Sequence, residues 1–234
     1  MEMTRRQLLA VATSAALLSV EPRIQFDRRK SLGWDCLILD LKEHCSLAES
    51  LQGYEGCLAN LGLNFVTRSH EFLPDVLPQA RHVVIPAVTS IDAELARRLL
   101  NFLENQGSVL LELGLAFVDP TICDLQRKLL SSHFQVEAQS PVSLRSGCDG
   151  EQCVPYVDYL WPLATKVRDF SRVVPLSASS SKAIAHSRGI TIGLSRKVGK
   201  GTLTILGSPL GPVLRAGDQE AQSWLHAFLS ATRA

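Results

Sequence analysis

Two carboxylates and a serine stand where an α/β sheet gathers its ligands. Asp40 ends the apolar run Asp35-Cys36-Leu37-Ile38-Leu39-Asp40-Leu41, and Glu112 lies late in Ser108-Val109-Leu110-Leu111-Glu112-Leu113-Gly114. Both runs are too short for helices and suit buried parallel strands, whose carboxyl ends face the ligand crevice. Ser208 follows a third such run, Thr202 to Leu206. A carboxylate at that edge can bind a cation or hydroxyls, or work beside a metal or an activated water. Asp40, Glu112 and Ser208 are therefore the candidate ligand-binding residues. For the two acids the competing reading, a hydrogen-bonded structural carboxylate, is the preferred one.

Spacing excludes other chemistry. Gly199-Lys200-Gly201-Thr202 lacks the earlier glycine of a phosphate loop and lies in a hairpin, not between a strand and a helix. His44, His70, His82, His133, His186 and His226 share no metal-ligand spacing, so no metal and no cofactor are expected. Cys36 and Cys57 fall in apolar patterns and read as core. Cys148 and Cys153 are the one close cysteine pair, a disulfide candidate in an oxidising compartment.

The chain has 234 residues, 46% hydrophobic and 20% charged, enough for one globular α/β domain. Lys and Arg number 24 against 23 Asp and Glu, which gives no electrostatic reason to expect nucleic acid or an anionic membrane. Thr4-Arg5-Arg6-Gln7-Leu8-Leu9 precedes a mildly apolar run to Val20. The paired Arg5 and Arg6 resemble a twin-arginine export signal, and the run is too short to span a bilayer as a helix. Residues 1–21 are read as export signal or N-terminal anchor, 22–32 as connector and 33–232 as the domain. This implies a periplasmic or otherwise exported location, with membrane contact only through an uncleaved signal.

The elements that position the acids alternate. Ser46-Leu47-Ala48-Glu49 reads as a capping box, with Leu47, Leu51, Leu58 and Leu61 marking one helical face behind it. His82 to Pro86 is a strand ended by its proline. Asp92 opens the strongest helix, with Ile91, Leu95, Leu99, Phe102 and Leu103 on one side and Gly107 stopping it. Phe134 to Glu137 reads as a strand, and residues 140–182 as a surface excursion rich in Ser and Pro. Within that excursion Tyr156, Tyr159 and Trp161 concentrate aromatics, which suit a partner surface or a core-covering flap equally. Gly199-Lys200-Gly201 turns a hairpin, and Gly217-Asp218 caps a last amphipathic helix.

Three of these features carry a family resemblance: the helix Asn101 to Gln106 running through Gly107 into an apolar strand, the Gly199–Gly201 hairpin leading to Gly207, and the C-terminal helix. Their order resembles the class I glutamine-amidotransferase-like superfamily over residues 33–230. The resemblance implies a flavodoxin-like, glutamine-amidotransferase-like three-layer sandwich with a mostly parallel sheet and a C-terminal hairpin. Catalytic members place a Cys on the turn after the fourth strand and His-Pro-Glu after the late strand. Here Leu113 and Ser208-Pro209-Leu210 stand in those places; Leu113 cannot replace a thiol, and nothing at Ser208 can serve as its base. No catalytic residue carries over. The resemblance therefore implies a non-catalytic module that binds a protein or carbohydrate partner in the cell envelope. The alternative is a hydrolase with different chemistry at the Glu112/Asp40 edge.

Overall fold

Four of the five strands that run parallel in this protein are short apolar segments buried at their centres. The computed structural model describes residues 33–41, 47–69, 71, 77–144, 155–168 and 172–232, all of one unit that spans Leu32–Ala234. Arg5, Arg6, Cys148 and Cys153 lie outside the described residues.

The main sheet has nine strands. β1 (Trp34–Asp40) pairs in parallel with β2 (Phe65–Ser69) on one side and β3 (Ala80–Val88) on the other. β3 pairs in parallel with β4 (Ser108–Leu113), and β4 with β13 (Gly201–Leu206). From there every ladder is antiparallel: β13 to β12 (Ile190–Val198), then β11 (Lys182–Ser187), β7 (Tyr156–Tyr159) and β8 (Thr165–Arg168). Four ladders are thus parallel and four antiparallel. This corrects the expected flavodoxin-like, glutamine-amidotransferase-like three-layer sandwich with a mostly parallel sheet. The antiparallel half needs only tight turns and no crossover helices, so it leaves no strand–helix alternation in the sequence.

Among the described residues five α-helices accompany the sheet: α1 (Ala48–Asn60), α2 (Ala93–Glu104), α3 (Pro120–Leu129), α4 (Gly211–Arg215) and α5 (Gln219–Ala231). Strand side chains alternate between faces. Leu37, Val83, Val109 and Leu111 pack with Leu95, Leu99 and Leu103 of α2. Ile38, Val84 and Leu110 pack on the other face with Tyr54 and Leu58 of α1 and Trp224 and Phe228 of α5. Among the described residues no helix is long and apolar enough to cross a membrane.

Several local expectations change. The N-cap of α1 is Leu47, with no side-chain cap bond, and Ser46 lies outside the described residues. The buried stripe of α1 is Ser50, Gly53, Tyr54, Cys57 and Leu58, rotated from the expected leucine face. β3 continues past Pro86, with a register irregularity between Ile85 and Val88. Gln106, not Gly107, takes the left-handed position after α2, at φ 73°. Gly107 is needed for a different reason: a Cβ there would lie 2.3 Å from the Phe102 ring. Leu130–Phe134 is a π-helical turn, and the strand that comes after it is only Glu137–Ala138, β5. The 140–182 excursion supplies β7 and β8 to the main sheet. It also holds β6 (Val142–Ser143), β9 (Arg172–Val173) and β10 (Leu176–Ser177), which make two short side ladders, β6 with β9 and β10 with β5. The β12–β13 hairpin forms where expected, and Asp218 caps α5 by accepting from the Ala221 N–H at 2.9 Å.

Candidate functional site

Glu112 lies on the α1-facing side of β4, two residues beyond Leu110, and is fully buried. An ionised carboxylate cannot be left there without donors. Five reach it. Oε1 accepts from Ser50 Oγ at 2.5 Å and from the Ala87 N–H at 3.2 Å. Oε2 accepts from Tyr54 Oη at 2.7 Å, the Leu210 N–H at 3.1 Å and the Gly211 N–H at 3.0 Å. Two carboxylate oxygens offer about four lone-pair sites, so this carboxylate is saturated.

Each donor arrives for a local reason. Ser50 and Tyr54 are four residues apart on α1 and share one face. Ala87 sits in the β3 irregularity with φ 40°. That conformation is unfavourable for a residue with a Cβ, by about 1–3 kcal/mol, and a hydrogen bond to a charged acceptor, about 1.5–3 kcal/mol, offsets it. Leu210 and Gly211 come from the turn after β13 that opens α4. A Cβ on Gly53 would lie 1.9 Å from the Gly211 carbonyl oxygen, and one on Gly211 would lie 2.4 Å from Ser50 Cα. The two glycines bring α1 and α4 into backbone contact and so seat the Gly211 amide on the carboxylate.

Burial is the strongest influence on Glu112 and holds its carboxyl above the ordinary value, while the bonds from Ser50, Tyr54, Gly211 and Leu210 pull it back. Burial, then the neighbouring Glu112 charge, pushes the Tyr54 phenol well above its usual range, so Tyr54 remains a donor.

The other expected site residues are dispersed. Asp40 is half-buried at the end of β1 opposite Ser69. It is two strands from β4, about 10 Å at the usual strand spacing. Ser208 is buried in the turn that supplies the Leu210 and Gly211 amides. Of the aromatic segment, Tyr156 is exposed, with Lys166 Nζ 5.9 Å from its ring centroid. Tyr159 is buried, 4.6 Å from Trp224 between centroids, and so is withdrawn from any partner surface. Trp161 is half-buried, edge-on to Phe228, and its carbonyl accepts from Trp224 Nε1 at 3.0 Å. It works as a flap over the α5 core. Sequence reasoning missed Ser50, Tyr54, Ala87, Leu210 and Gly211. The available signal was the Ser50-Gly53-Tyr54-Cys57 series, a helical stripe of small and polar residues inside an apolar domain.

No family model matches the chain, and no curated protein matches it. Solved structures do share its fold, and glycoside hydrolases are prominent among them. A β-galactosidase from Rahnella sp. R3 superposes with TM-score 0.63 at 13% identity, covering 86% of this chain and 31% of that one. An exo-β-1,4-mannosidase from Opitutaceae bacterium strain TAV5 gives TM-score 0.57 at 11% identity, over 86% of this chain and 36% of that one. This chain spans about a third of the length of the glycosidases it matches. A cytoplasmic protein from Salmonella typhimurium LT2 gives TM-score 0.62 at 10% identity, over 85% of this chain and 99% of that one. The same fold therefore occurs as part of larger enzymes and as nearly a whole chain.

Proposed function

We propose that this chain is an exported, non-catalytic module that acts by binding a protein or carbohydrate partner in the cell envelope. The observation that carries this reading is the five-donor closure of Glu112. General acid–base work needs a carboxyl within hydrogen-bond reach of a substrate or water. Glu112 has no free lone pair and no exposed surface to offer. The Salmonella protein, 99% of which superposes on 85% of this chain, supports a fold that can make up nearly a whole chain. The Arg5-Arg6 signal supports export.

A second reading, a glycoside hydrolase, is favoured by the glycosidase structures that share the fold. Such enzymes generally use two carboxyl groups facing one sugar from about 5–9.5 Å apart. Asp40 and Glu112 share the sheet edge, but Glu112 is fully buried. A hydrolase here would need a different acid.

Two assays on the full chain separate these readings. Purification from its native envelope, with mass spectrometry of everything retained, is expected to yield a stoichiometric partner. Nitrophenyl β-galactosides and β-mannosides are expected to be hydrolysed no faster than in buffer. Turnover that disappears in Asp40→Asn, with no retained partner, would establish the hydrolase instead.

A further inference from the structure

At the opposite end of the parallel strands from Glu112, where β3 begins and α2 ends, the surface opens into a groove of about 940 Å³. That volume is at the upper end of those that hold small organic ligands. Among the described residues the groove shares none with the Glu112 cage, so a ligand bound in it is independent of any role that Glu112 plays.

Its charge is uneven. Arg81, Arg97 and Arg98 line it against one carboxylate, Glu94. Glu94 already accepts from Arg97 Nη2 at 2.7 Å and from Arg98 Nε at 2.7 Å. A guanidinium carries five N–H donors, so both arginines keep donors to spare while their planes are fixed by the shared acid. Arg81 is exposed and makes no ion pair among the described residues. Among the described residues, three guanidiniums on one carboxylate leave the groove lining two positive charges in excess.

The end of α2 adds polar groups to the same groove. Gln106 lines it and is held in the left-handed region, at φ 73°, directly after the C-cap of α2. Glycine is the usual residue there, and a side chain in that conformation costs on the order of 1 kcal/mol. The helix ending itself sets that conformation: the Gln106 N–H donates to the Leu103 carbonyl at 3.3 Å and the Gly107 N–H to the Phe102 carbonyl at 3.0 Å. Gln106 lines the groove beside Asn105, whose Nδ2 donates to the Asn101 carbonyl at 2.9 Å. Leu77, Pro78 and Phe102 supply the apolar part of the lining.

The geometry points to a binding site for a small organic anion. Its phosphate or carboxylate head is taken by Arg81 with Arg97 and Arg98, its apolar or planar body lies against Leu77, Pro78 and Phe102, and its hydroxyls or amides meet Asn105 and Gln106. Guanidiniums match both kinds of anionic head through paired N–H donors.

Calorimetric titration of the full chain tests this with two probes, adenosine 5′-monophosphate for the phosphate head and phenylacetate for the carboxylate. Inorganic phosphate and adenosine serve as the head and body alone. At least one probe is expected to saturate at or below about 1 mM. Each isolated half is expected to bind about tenfold more weakly or worse, because neither makes both sets of contacts. Arg81→Ala and Arg97→Ala, both at exposed positions, are each expected to weaken binding about tenfold or more. Lys200→Ala, outside the groove, is expected to change nothing. Melting curves show that each variant is folded, and either arginine variant alone suffices for the comparison. Failure of both probes to saturate by about 10 mM, phosphate binding as tightly as the organic anion, or binding indifferent to both arginine substitutions would each overturn the assignment.

Discussion

Glu112 Oε2 accepts the Gly211 N–H at 3.0 Å across 99 residues of chain. That bond, with those from Leu210 and Tyr54, ties β4, α1 and the turn after β13 into one knot at the carboxyl end of the sheet. At β4 the position where an open α/β sheet would take a ligand is filled by the protein's own acid.

The knot depends on Gly53 in a way that local propensity opposes. Alanine is favoured over glycine inside a helix by about 1 kcal/mol. At Gly56, where nothing lies within 4 Å of the added carbon, Gly56→Ala is expected to raise stability by about 0.5–1 kcal/mol. At Gly53 the new methyl would meet the Gly211 carbonyl at 1.9 Å. Gly53→Ala is expected to lose about 2 kcal/mol or more, because backbone must move. Urea unfolding of the two variants side by side checks the contrast, and a gain at Gly53 would contradict the packing.

Much of the parallel half of the sheet was legible in the sequence because its strands are buried on both faces. Leu37 to Leu39, Val83 to Ile85 and Val109 to Leu111 read as continuous apolar runs for that reason. In the antiparallel half the β12–β13 hairpin was legible from its Gly199–Gly201 turn, but β7 and β8 were not. β7 and β8 are four-residue strands in a stretch rich in turn residues, and short antiparallel pairing leaves little periodicity. Glu112 could be placed at a strand end, and its structural role was the preferred one. Three of its five donors are backbone amides, which no side-chain pattern reveals. The left-handed Ala87 is equally silent, since a non-glycine at φ 40° is held by its surroundings and not by its own preference.

The pH dependence of stability should carry the Glu112 signature. Its carboxyl is held above the ordinary value of 4.5 by burial. Between about 4.5 and the folded value the folded state keeps a proton that the unfolded state releases. The stability owed to this group is therefore complete below 4.5 and falls as pH rises through that window. The difference in unfolding free energy between the native protein and Glu112→Gln is expected to shrink with rising pH there. A difference that grows would reverse the sign of the shift.

Thiol reactivity reports the same burial elsewhere. Burial pushes the Cys57 thiol up to about 11 and Cys36 higher still. At pH 8 the Cys57 thiolate is then on the order of a thousandth of the total. Iodoacetamide at pH 8, with peptide mapping, is expected to leave Cys36 and Cys57 unmodified in the folded protein and to label both in urea. Labelling of either in the folded state would show that the α1–β1 packing opens readily.

The most direct test of the central claim is the unfolding free energy of Glu112→Gln at neutral pH. A residue retained for catalysis is commonly a stability cost, so its removal leaves stability unchanged or raised. A residue that satisfies buried donors behaves in the opposite way, because one amide oxygen cannot replace a carboxylate facing three backbone N–H groups. The expected result is a loss of about 3 kcal/mol. Unchanged or increased stability would contradict the account and make Glu112 a working acid.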